Sequence, residues 1–320
     1  MEDAGSSPLT RRSGLLFAVS TVLFGGTFVA AKAGLAHLPP LFFVAVRFDV
    51  GAVVLAAFAA TKLSRSDLRP RTAGDVVGIF ATGVLVIGLT NALLFVGQQH
   101  VTSGVAAVVF SLNPILTPAF AALLLSEDRL STTGVAGTVL GLVGVGLVAN
   151  PDPSALTAGG VGVPLLFCAA VTSALGAVVI RRAKATMSST ARTVWGVPIA
   201  AALSHALSLS AGESVTGLSL PLVALAALLY VGVCSGAVAY LAYFALIDET
   251  SASRANLLFY FVPIVSAVTG WALLGETGAP LSLVGFAVIF VGFLLVSGVP
   301  PSASDSLRRT VRNWAVRNGW

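Results

Sequence analysis

The stretch VAAVVFSLNPILTPAFAALLLSEDRLS, residues 105–131, decides the fold because a related stretch returns later in the chain. Its counterpart is ANLLFYFVPIVSAVTGWALLGETGAPLS, residues 255–282. Three matches lie 149 positions apart: Phe110 with Phe259, Pro114 with Pro263, and Glu127 with Glu276. Further matches at 149 or 148 positions are Phe95 with Phe244, Gly137 with Gly285, and Gly144 with Gly292. The chain therefore reads as a duplication, with halves at about 13–149 and 159–299.

The composition of the 320-residue chain indicates that both halves lie in a membrane. Hydrophobic residues make up 56% of the chain, charged residues only 10%, and the mean hydropathy is +0.95. Soluble domains carry about 25% charged residues, so this chain has too few to cover a surface facing water. The apolar runs are too long and uniform for barrel strands, which leaves helices to satisfy the backbone in lipid.

Breaks at proline, glycine and charged clusters divide the chain into ten apolar segments. Numbered 1 to 10, they cover 13–36, 40–61, 74–96, 101–125, 131–149, 159–180, 190–211, 220–246, 253–275 and 280–299. Because about 20 apolar residues span a bilayer as a helix, we predict an all-α polytopic membrane protein with ten transmembrane helices. The flanking parts are an N-terminal tail (1–12), an outer linker (150–158) and an amphipathic or basic C-terminal tail (300–320).

Lysine and arginine indicate the orientation of the segments. With the N-terminus in the cytoplasm, 16 of the 18 Lys and Arg residues fall on the inner side, and the outer loops contain none. The other two, Lys32 and Arg47, lie inside segments. This partition predicts that both termini are cytoplasmic. Because each half has five segments, an odd number, the two halves are predicted to cross the membrane in opposite directions.

Two inverted halves are the architecture of secondary transporters, which bind their substrate where the halves meet. A channel-like pore and an intramembrane enzyme are the alternatives. The sequence has no HExxH, GxSxG or Walker motif and no filter-like pattern, which argues against common hydrolases, ATP-driven pumps and channels. Cys168 and Cys234 form neither a metal-ligand spacing nor a disulfide framework. We therefore expect a protein that is not an enzyme and has no cofactor and no metal.

The opening of the chain carries a family resemblance. Three features resemble the EamA-type family of the drug/metabolite transporter superfamily. They are the stretch FGGTFVAAKAGLAHLPPLFFVAVRF, residues 24–48, the paired Pro and Glu of segments 4 and 9, and the glycines of segments 5 and 10. Matching positions are Gly25, Phe28, Lys32, Pro39 or Pro40, and Arg47, while Phe24 stands where the family usually has Trp. The resemblance implies a central cavity lined by segments 1, 3, 4, 6, 8 and 9, with segments 5 and 10 at the periphery.

Lys32 and Arg47 are the two cations inside segments, at comparable depth from the outer side. Arg47 comes about 7 residues into segment 2, which is roughly 10 Å at 1.5 Å per residue. They either line an outer vestibule that attracts anions or snorkel to the interface. Asp49, two residues from Arg47, points about 200° away from it on a helix. We expect Asp49 to pair with Lys32 or Arg47, or to act as a proton-coupling carboxylate.

The remaining candidates are polar or helix-breaking residues within the segments. The predicted substrate-binding set is Thr27, Lys32, Arg47, Asn91, Asn113, Tyr240, Tyr243, Asn256 and Tyr260. Hydrogen bonds between helices are the alternative role for these side chains. Pro114 and Pro263 each remove a backbone donor and are predicted to be hinges or helix breaks. His205 is interpreted as a packed residue and Glu276 as a helix cap or loop anchor.

These features together predict a secondary transporter or facilitator of the inner cell membrane, working by alternating access as an exporter. The substrate is expected to be a small polar metabolite such as an amino acid, an amine or a nucleoside. The expected partners are this small molecule and the lipid bilayer, with no nucleic acid. Segment 5 contains a GxxxG spacing from Gly137 to Gly141, which favours packing within one chain, so we expect a monomer or weak homodimer.

Overall fold

The computed structural model describes residues 11–125, 131–149, 160–218, 220–249, 258–277 and 280–296. Across these ranges the regular structure is entirely helical. Six helices are long and apolar enough to cross a membrane: Arg11–Leu35, Pro40–Lys62, Ala73–Gln98, Ser103–Leu124, Gly162–Arg182 and Ser189–Ser210. They correspond to segments 1 to 4, 6 and 7. The predicted all-α membrane fold is thereby confirmed at this level.

Segments 5, 8, 9 and 10 form shorter helices or chains of helices. They are Thr132–Ala149 in segment 5, Leu222–Leu229, Tyr230–Val238 and Ala239–Glu249 in segment 8, Leu258–Leu274 in segment 9, and Pro280–Val296 in segment 10. A one-turn helix, Arg65–Leu68, lies between segments 2 and 3. The count of ten membrane spans and the orientation stay predictions. Glu127, Asn256 and the predicted tail helix lie outside the described residues.

Contacts at the helix ends show that equivalent segments of the two halves run in opposite directions. We call the end of the bundle with the turn 36–39 the upper end, and the end with the loop 63–72 the lower end. At the upper end, the start of segment 2 meets Glu213, which follows segment 7. The start of segment 4 likewise meets Glu276, which follows segment 9. Segments 2 and 7, and segments 4 and 9, are therefore antiparallel, as inverted halves require.

Segments 5 and 10 pack closely against each other through glycines. A Cβ added at Gly144 would lie 2.8 Å from the carbonyl oxygen of Gly285, and one added at Gly292 would lie 2.6 Å from that of Gly137. Small residues let helix backbones approach to this degree in membranes. The interpretation of these glycines as contacts within one chain is confirmed, whereas the monomeric or weakly dimeric state stays a prediction.

Two neighbouring glycines of segment 5 give a matched test of this packing. We expect Gly144→Ala to lower the melting temperature, because the added Cβ would also lie 2.6 Å from Cγ1 of Ile289. Overpacking of this kind costs about 1–3 kcal/mol. A Cβ added at Gly146 would meet no other heavy atom within 4 Å. Gly146→Ala should therefore be neutral, or stabilise the helix by up to about 1 kcal/mol through helix propensity. Thermal unfolding in detergent measures both, and equal shifts would contradict the packing argument.

Segments 3 and 8 each contain a π-helical stretch at the same place in their half. Ala81–Leu89 in segment 3 and Tyr230–Val238 in segment 8 are 149 residues apart at both ends. π-Helical turns are rare and frequently lie at functional sites. Asn91 and Tyr240, also 149 residues apart, follow shortly after the two stretches. The duplication therefore extends to local backbone geometry beside the candidate site.

Carboxylates that accept backbone N–H groups tie the two halves together at helix ends. Glu213 accepts N–H groups of Leu41 and Phe42, at 3.0 and 2.7 Å, at the start of segment 2. Glu276 accepts the N–H of Ser103, at 2.9 and 3.1 Å, at the start of segment 4. A negative charge at a helix N-terminus is favourable because of the helix dipole. The interpretation of Glu276 as a helix cap is confirmed.

Candidate functional site

Arg47 is a buried cation held by segment 3. Its Nη2 donates to the Oδ1 of Asn91, and the Asn91 Nδ2 donates to the carbonyl of Ile87 at 2.6 Å. This bond to the Ile87 carbonyl, in the π-helical stretch of segment 3, turns the Asn91 Oδ1 toward Arg47. The guanidinium carbon lies 4.6 Å from the ring centroid of Phe95, in cation–π geometry. Arg47 is only 8% exposed, and its buried Nε has no hydrogen-bond partner among the described residues.

An aromatic cluster lies on segments 1, 8 and 9 next to Arg47. Ring centroids are 5.0 Å apart for Phe24 and Tyr240, 5.8 Å for Phe24 and Phe259, and 5.6 Å for Tyr243 and Phe259. Tyr240 is close enough to Arg47 for the two groups to interact electrostatically. Tyr240 is 48% exposed. The cluster joins both halves, since segment 1 belongs to the first and segments 8 and 9 to the second.

Thr27 adds a polar contact between the halves beside this cluster. Its hydroxyl pairs with that of Ser235, in the π-helical stretch of segment 8, and donates to the carbonyl of Leu23 at 3.0 Å. The Tyr230 hydroxyl, at the start of the same stretch, donates to the same carbonyl at 3.2 Å. Thr27, Arg47, Asn91, Tyr240 and Tyr243 are thus placed around segments 1, 2, 3 and 8. Their predicted role in substrate binding stays a prediction.

Lys32 lies apart from this group and has a different environment. Its Nζ donates to the carbonyls of Gln98, Gln99 and Val101, at 2.9, 3.1 and 2.8 Å. These carbonyls end segment 3 and begin the turn to segment 4, where the helix dipole favours a cation. Three acceptors occupy the three ammonium protons. Lys32 therefore holds this turn, and its predicted role in substrate binding stays a prediction.

Asp49 does not pair with Lys32 or Arg47, and that prediction is wrong. Its Oδ2 lies 2.9 Å from the Nε2 of His205, in segment 7. The two side chains are 50% and 42% exposed, on the outer face of the bundle, in line with Val53. His205 is thus a hydrogen-bond partner across the halves and not simply a packed residue. The opposite directions of Arg47 and Asp49 on segment 2 place one inside the bundle and the other outside it.

Two other predicted residues, Tyr260 and Asn113, have partners other than Arg47. Tyr260 is buried against Phe290 and Phe293 of segment 10, with centroids 5.5 and 3.9 Å away. Asn113 is half-buried and accepts from the Thr117 hydroxyl at 3.1 Å. Tyr260 therefore packs against segment 10, and Asn113 bonds to a residue of its own segment. Asn256 lies outside the described residues.

The two prolines predicted as helix breaks differ. Segment 4 is interrupted at Ser111 and Leu112, directly before Pro114, between helices Ser103–Phe110 and Asn113–Leu124. Pro263 lies inside the unbroken helix Leu258–Leu274, so the expected break is absent there. A hinge at either position stays a prediction.

The chemistry of the site is that of binding. In the described part of the chain no group of three His, Cys, Asp or Glu side chains could hold a metal ion. The site offers one guanidinium, an amide, hydroxyls and aromatic faces, which suit reversible recognition of a small molecule. The sequence marked Phe24 only as a family position and Phe95 only as a repeat match, and gave neither a role in the site. Ser235 was missed, and its one signal was its position in a segment matched to segment 3.

Comparisons with known proteins agree with this architecture. The sequence model of the EamA-like transporter family matches the chain twice, at residues 12–150 and 160–298. An uncharacterized transporter of Archaeoglobus fulgidus is 23% identical, covering 88% of this chain and 97% of that protein. The uncharacterized inner membrane transporter YedA of Escherichia coli K12 is 28% identical, covering 89% and 90%. A solved crystal structure, 21% identical, has a TM-score of 0.59 over 89% of this chain and 96% of that one, which shows a shared fold.

Proposed function

This chain belongs to the EamA-like transporter family and is a multi-pass protein of the cytoplasmic membrane. We propose that it is a secondary transporter or facilitator of a small polar metabolite. The proposed substrate is of the size of an amino acid, an amine or a nucleoside. In this proposal ten spans cross the membrane with both termini inside, the two halves alternate access to the site, and the direction is export.

The observation that carries the proposal is the buried Arg47, which donates to Asn91 beside the aromatic cluster. An ionised side chain in the membrane interior is costly and commonly marks a substrate pathway. Asn91 and Tyr240, which flank Arg47, occupy equivalent places in the two inverted halves. A site formed where inverted repeats meet is typical of secondary transporters.

Alternating access is supported by how segments 4 and 9 meet. The upper half of segment 4 packs on segment 9 as well as on segments 1, 5 and 6, and in the described residues its lower half packs on segments 5, 6 and 10. A Cβ at Gly104 would lie 3.1 Å from that of Ala267, so the contact at the upper end is tight. With the arginine-rich lower end in the cytoplasm, this arrangement corresponds to a site closed to the outside.

The test is transport by purified protein in liposomes, with a panel of labelled amino acids, amines, nucleosides and organic acids. We expect saturable uptake that is accelerated by the same substrate on the opposite side. Tyr240→Ala should reduce the rate by about tenfold or more, through loss of aromatic contact area with the substrate. Val53→Ala, on the exposed face of segment 2, should leave the rate unchanged. A substrate-independent, non-saturating ion current would instead indicate a channel.

A further inference from the structure

The loop between segments 2 and 3, at the lower end of the bundle, carries a groove with arginine walls. The groove has a volume of about 660 Å³ and is lined by Arg65, Ser66, Arg69, Pro70 and Arg71. We call it the arginine groove. Its volume lies within the range of small-molecule sites, which is about 300–1,000 Å³. All three arginines are exposed, and none of the residues that line the groove is acidic.

The backbone that carries these arginines is fixed before any ligand arrives. On one side, Ser64 and Asp67 form a capping box, in which the Asp67 carboxylate accepts the Ser64 N–H at 2.9 Å. On the other side, the Arg71 N–H donates to the buried Asp75 carboxylate at 3.0 Å. Pro70, between the two, has a φ angle set by its ring. A preformed groove binds a ligand without the cost of ordering the loop.

Part of the positive charge of the groove is not engaged with the protein. Arg71 donates from Nη2 to the carbonyl of Ser66 at 3.3 Å, and its charge lies near Asp67. Arg65 and Arg69 have no hydrogen bond or ion pair with any residue in the described part of the chain. Two guanidinium groups are therefore left to bind an anion. Their fork of N–H donors matches the oxygens of a phosphate group.

The groove lies where the protein meets the bilayer surface. The flanking helices, Pro40–Lys62 and Ala73–Gln98, are both long and apolar enough to cross a membrane. Trp195, near the start of segment 7, is 47% exposed, and its Nε1 donates to the carbonyl of Leu68 in this loop at 2.8 Å. Tryptophan is enriched at the headgroup level of membranes. The helix ends and Trp195 together put the loop at the depth of the lipid phosphates.

We propose that the arginine groove binds the phosphate group of an anionic phospholipid. Arg65 and Arg69 donate to the phosphate oxygens, and the acyl chains extend into the bilayer. A zwitterionic lipid is disfavoured because its ammonium group would approach the arginines. Since Trp195 of the second half holds this loop of the first half, a lipid bound there also stabilises the contact between the halves. The site does not include Arg47 and does not depend on the proposed transport function.

Three probes separate the possible sources of the phosphate: dioctanoyl phosphatidylglycerol, phosphatidylcholine with the same chains, and glycerophosphoglycerol, the first headgroup without chains. Native mass spectrometry and thermal unfolding measure their binding to the delipidated full-length protein in a non-ionic detergent. We expect phosphatidylglycerol to bind saturably, to raise the melting temperature, and to bind about tenfold or more tightly than either of the others. Phosphatidylcholine equal to phosphatidylglycerol would overturn the proposal. Glycerophosphoglycerol equal to it would show a site for a soluble anion and overturn the assignment to a lipid.

Paired substitutions locate the effect in the groove. Arg65→Gln with Arg69→Gln should weaken phosphatidylglycerol about tenfold or more, to the level of phosphatidylcholine. Arg11→Gln with Arg182→Gln removes the same charge from exposed arginines at the same end, outside the groove, and should leave the affinity unchanged. All four side chains are exposed, so both variants should fold. Unchanged affinity in the first variant would place the lipid elsewhere, and equal losses in both would show that binding follows net charge. Either result would overturn the proposal.

Discussion

Asp75→Asn is expected to lower the melting temperature by about 5 °C or more, because one fully buried carboxylate accepts four backbone N–H groups. Two of them, Arg71 and Thr72 at 3.0 Å each, precede its own helix in segment 3. The other two, Thr186 at 2.6 Å and Met187 at 2.9 Å, precede segment 7 in the second half. The Asn side chain of the variant offers only one acceptor oxygen. Its NH2 group would face backbone N–H groups, which also donate. The change therefore weakens a junction between the halves as well as a helix cap.

A matched control lies a few residues earlier in the chain. Asp67 closes the same kind of capping box, with Ser64, on the short helix Arg65–Leu68, but it is exposed and touches only its own loop. The Ser64 hydroxyl and N–H lower the pKa of the Asp67 carboxyl, so its small contribution is present at neutral pH and lost on acidification through that lowered pKa. Asp67→Asn should shift the melting temperature little. Equal shifts for the two variants would show that burial at the junction adds nothing.

The duplicated architecture was readable from the sequence because its markers are strong and local. The Pro and Glu pairs at an offset of 149 predicted the repeat, and the odd number of segments in each half predicted its inversion. The structure agrees in the antiparallel contacts of segments 2 with 7 and 4 with 9. Glu276 was also readable, since a carboxylate at the end of an apolar segment has few roles besides capping a neighbouring helix.

The partners of the interior side chains were not readable, because the segments are apolar on most sides and their rotation about their axes is set by packing. The spacing of Arg47 and Asp49 showed that they point apart but not which one faces inward. Tyr260 looked equivalent to Tyr240, yet it faces segment 10. The π-helical stretches leave hydropathy unchanged, so the apolar pattern of segments 3 and 8 carried no sign of them.

The turn between segments 3 and 4 is held from two sides, and this predicts how the upper end opens. Lys32 of segment 1 binds its carbonyls, while Glu276 of segment 9 binds the N–H of Ser103 at its end. We call this arrangement the upper latch. Lys32 and the turn both belong to the first half and Glu276 follows segment 9 of the second, so a movement that separates the halves at this end must break the Glu276 bonds. Lys32 holds the turn in the position where Glu276 binds it.

We expect Glu276→Gln to favour opening of the upper latch. Charge-assisted bonds to the start of a helix are worth about 1.5–3 kcal/mol, so their loss should raise the open population by about tenfold or more. Ser266, fully buried on segment 9 one turn below Gly270, is a suitable reporter. With Cys168 and Cys234 replaced by alanine, a Ser266→Cys protein in nanodiscs should react slowly with a bulky maleimide, and about tenfold faster once Glu276 is changed.

Glu213→Gln is the matched control, since it removes a carboxylate from the same end but caps segment 2 and not segment 4. Glu213→Gln should leave the labelling rate of the Ser266→Cys protein unchanged. Lys32→Met leaves three carbonyls without their donor and should accelerate the labelling, as Glu276→Gln does. If neither latch variant changes the rate, the close packing of Gly104 on Ala267 is sufficient to keep the upper end closed, and the charges serve only to cap their helices.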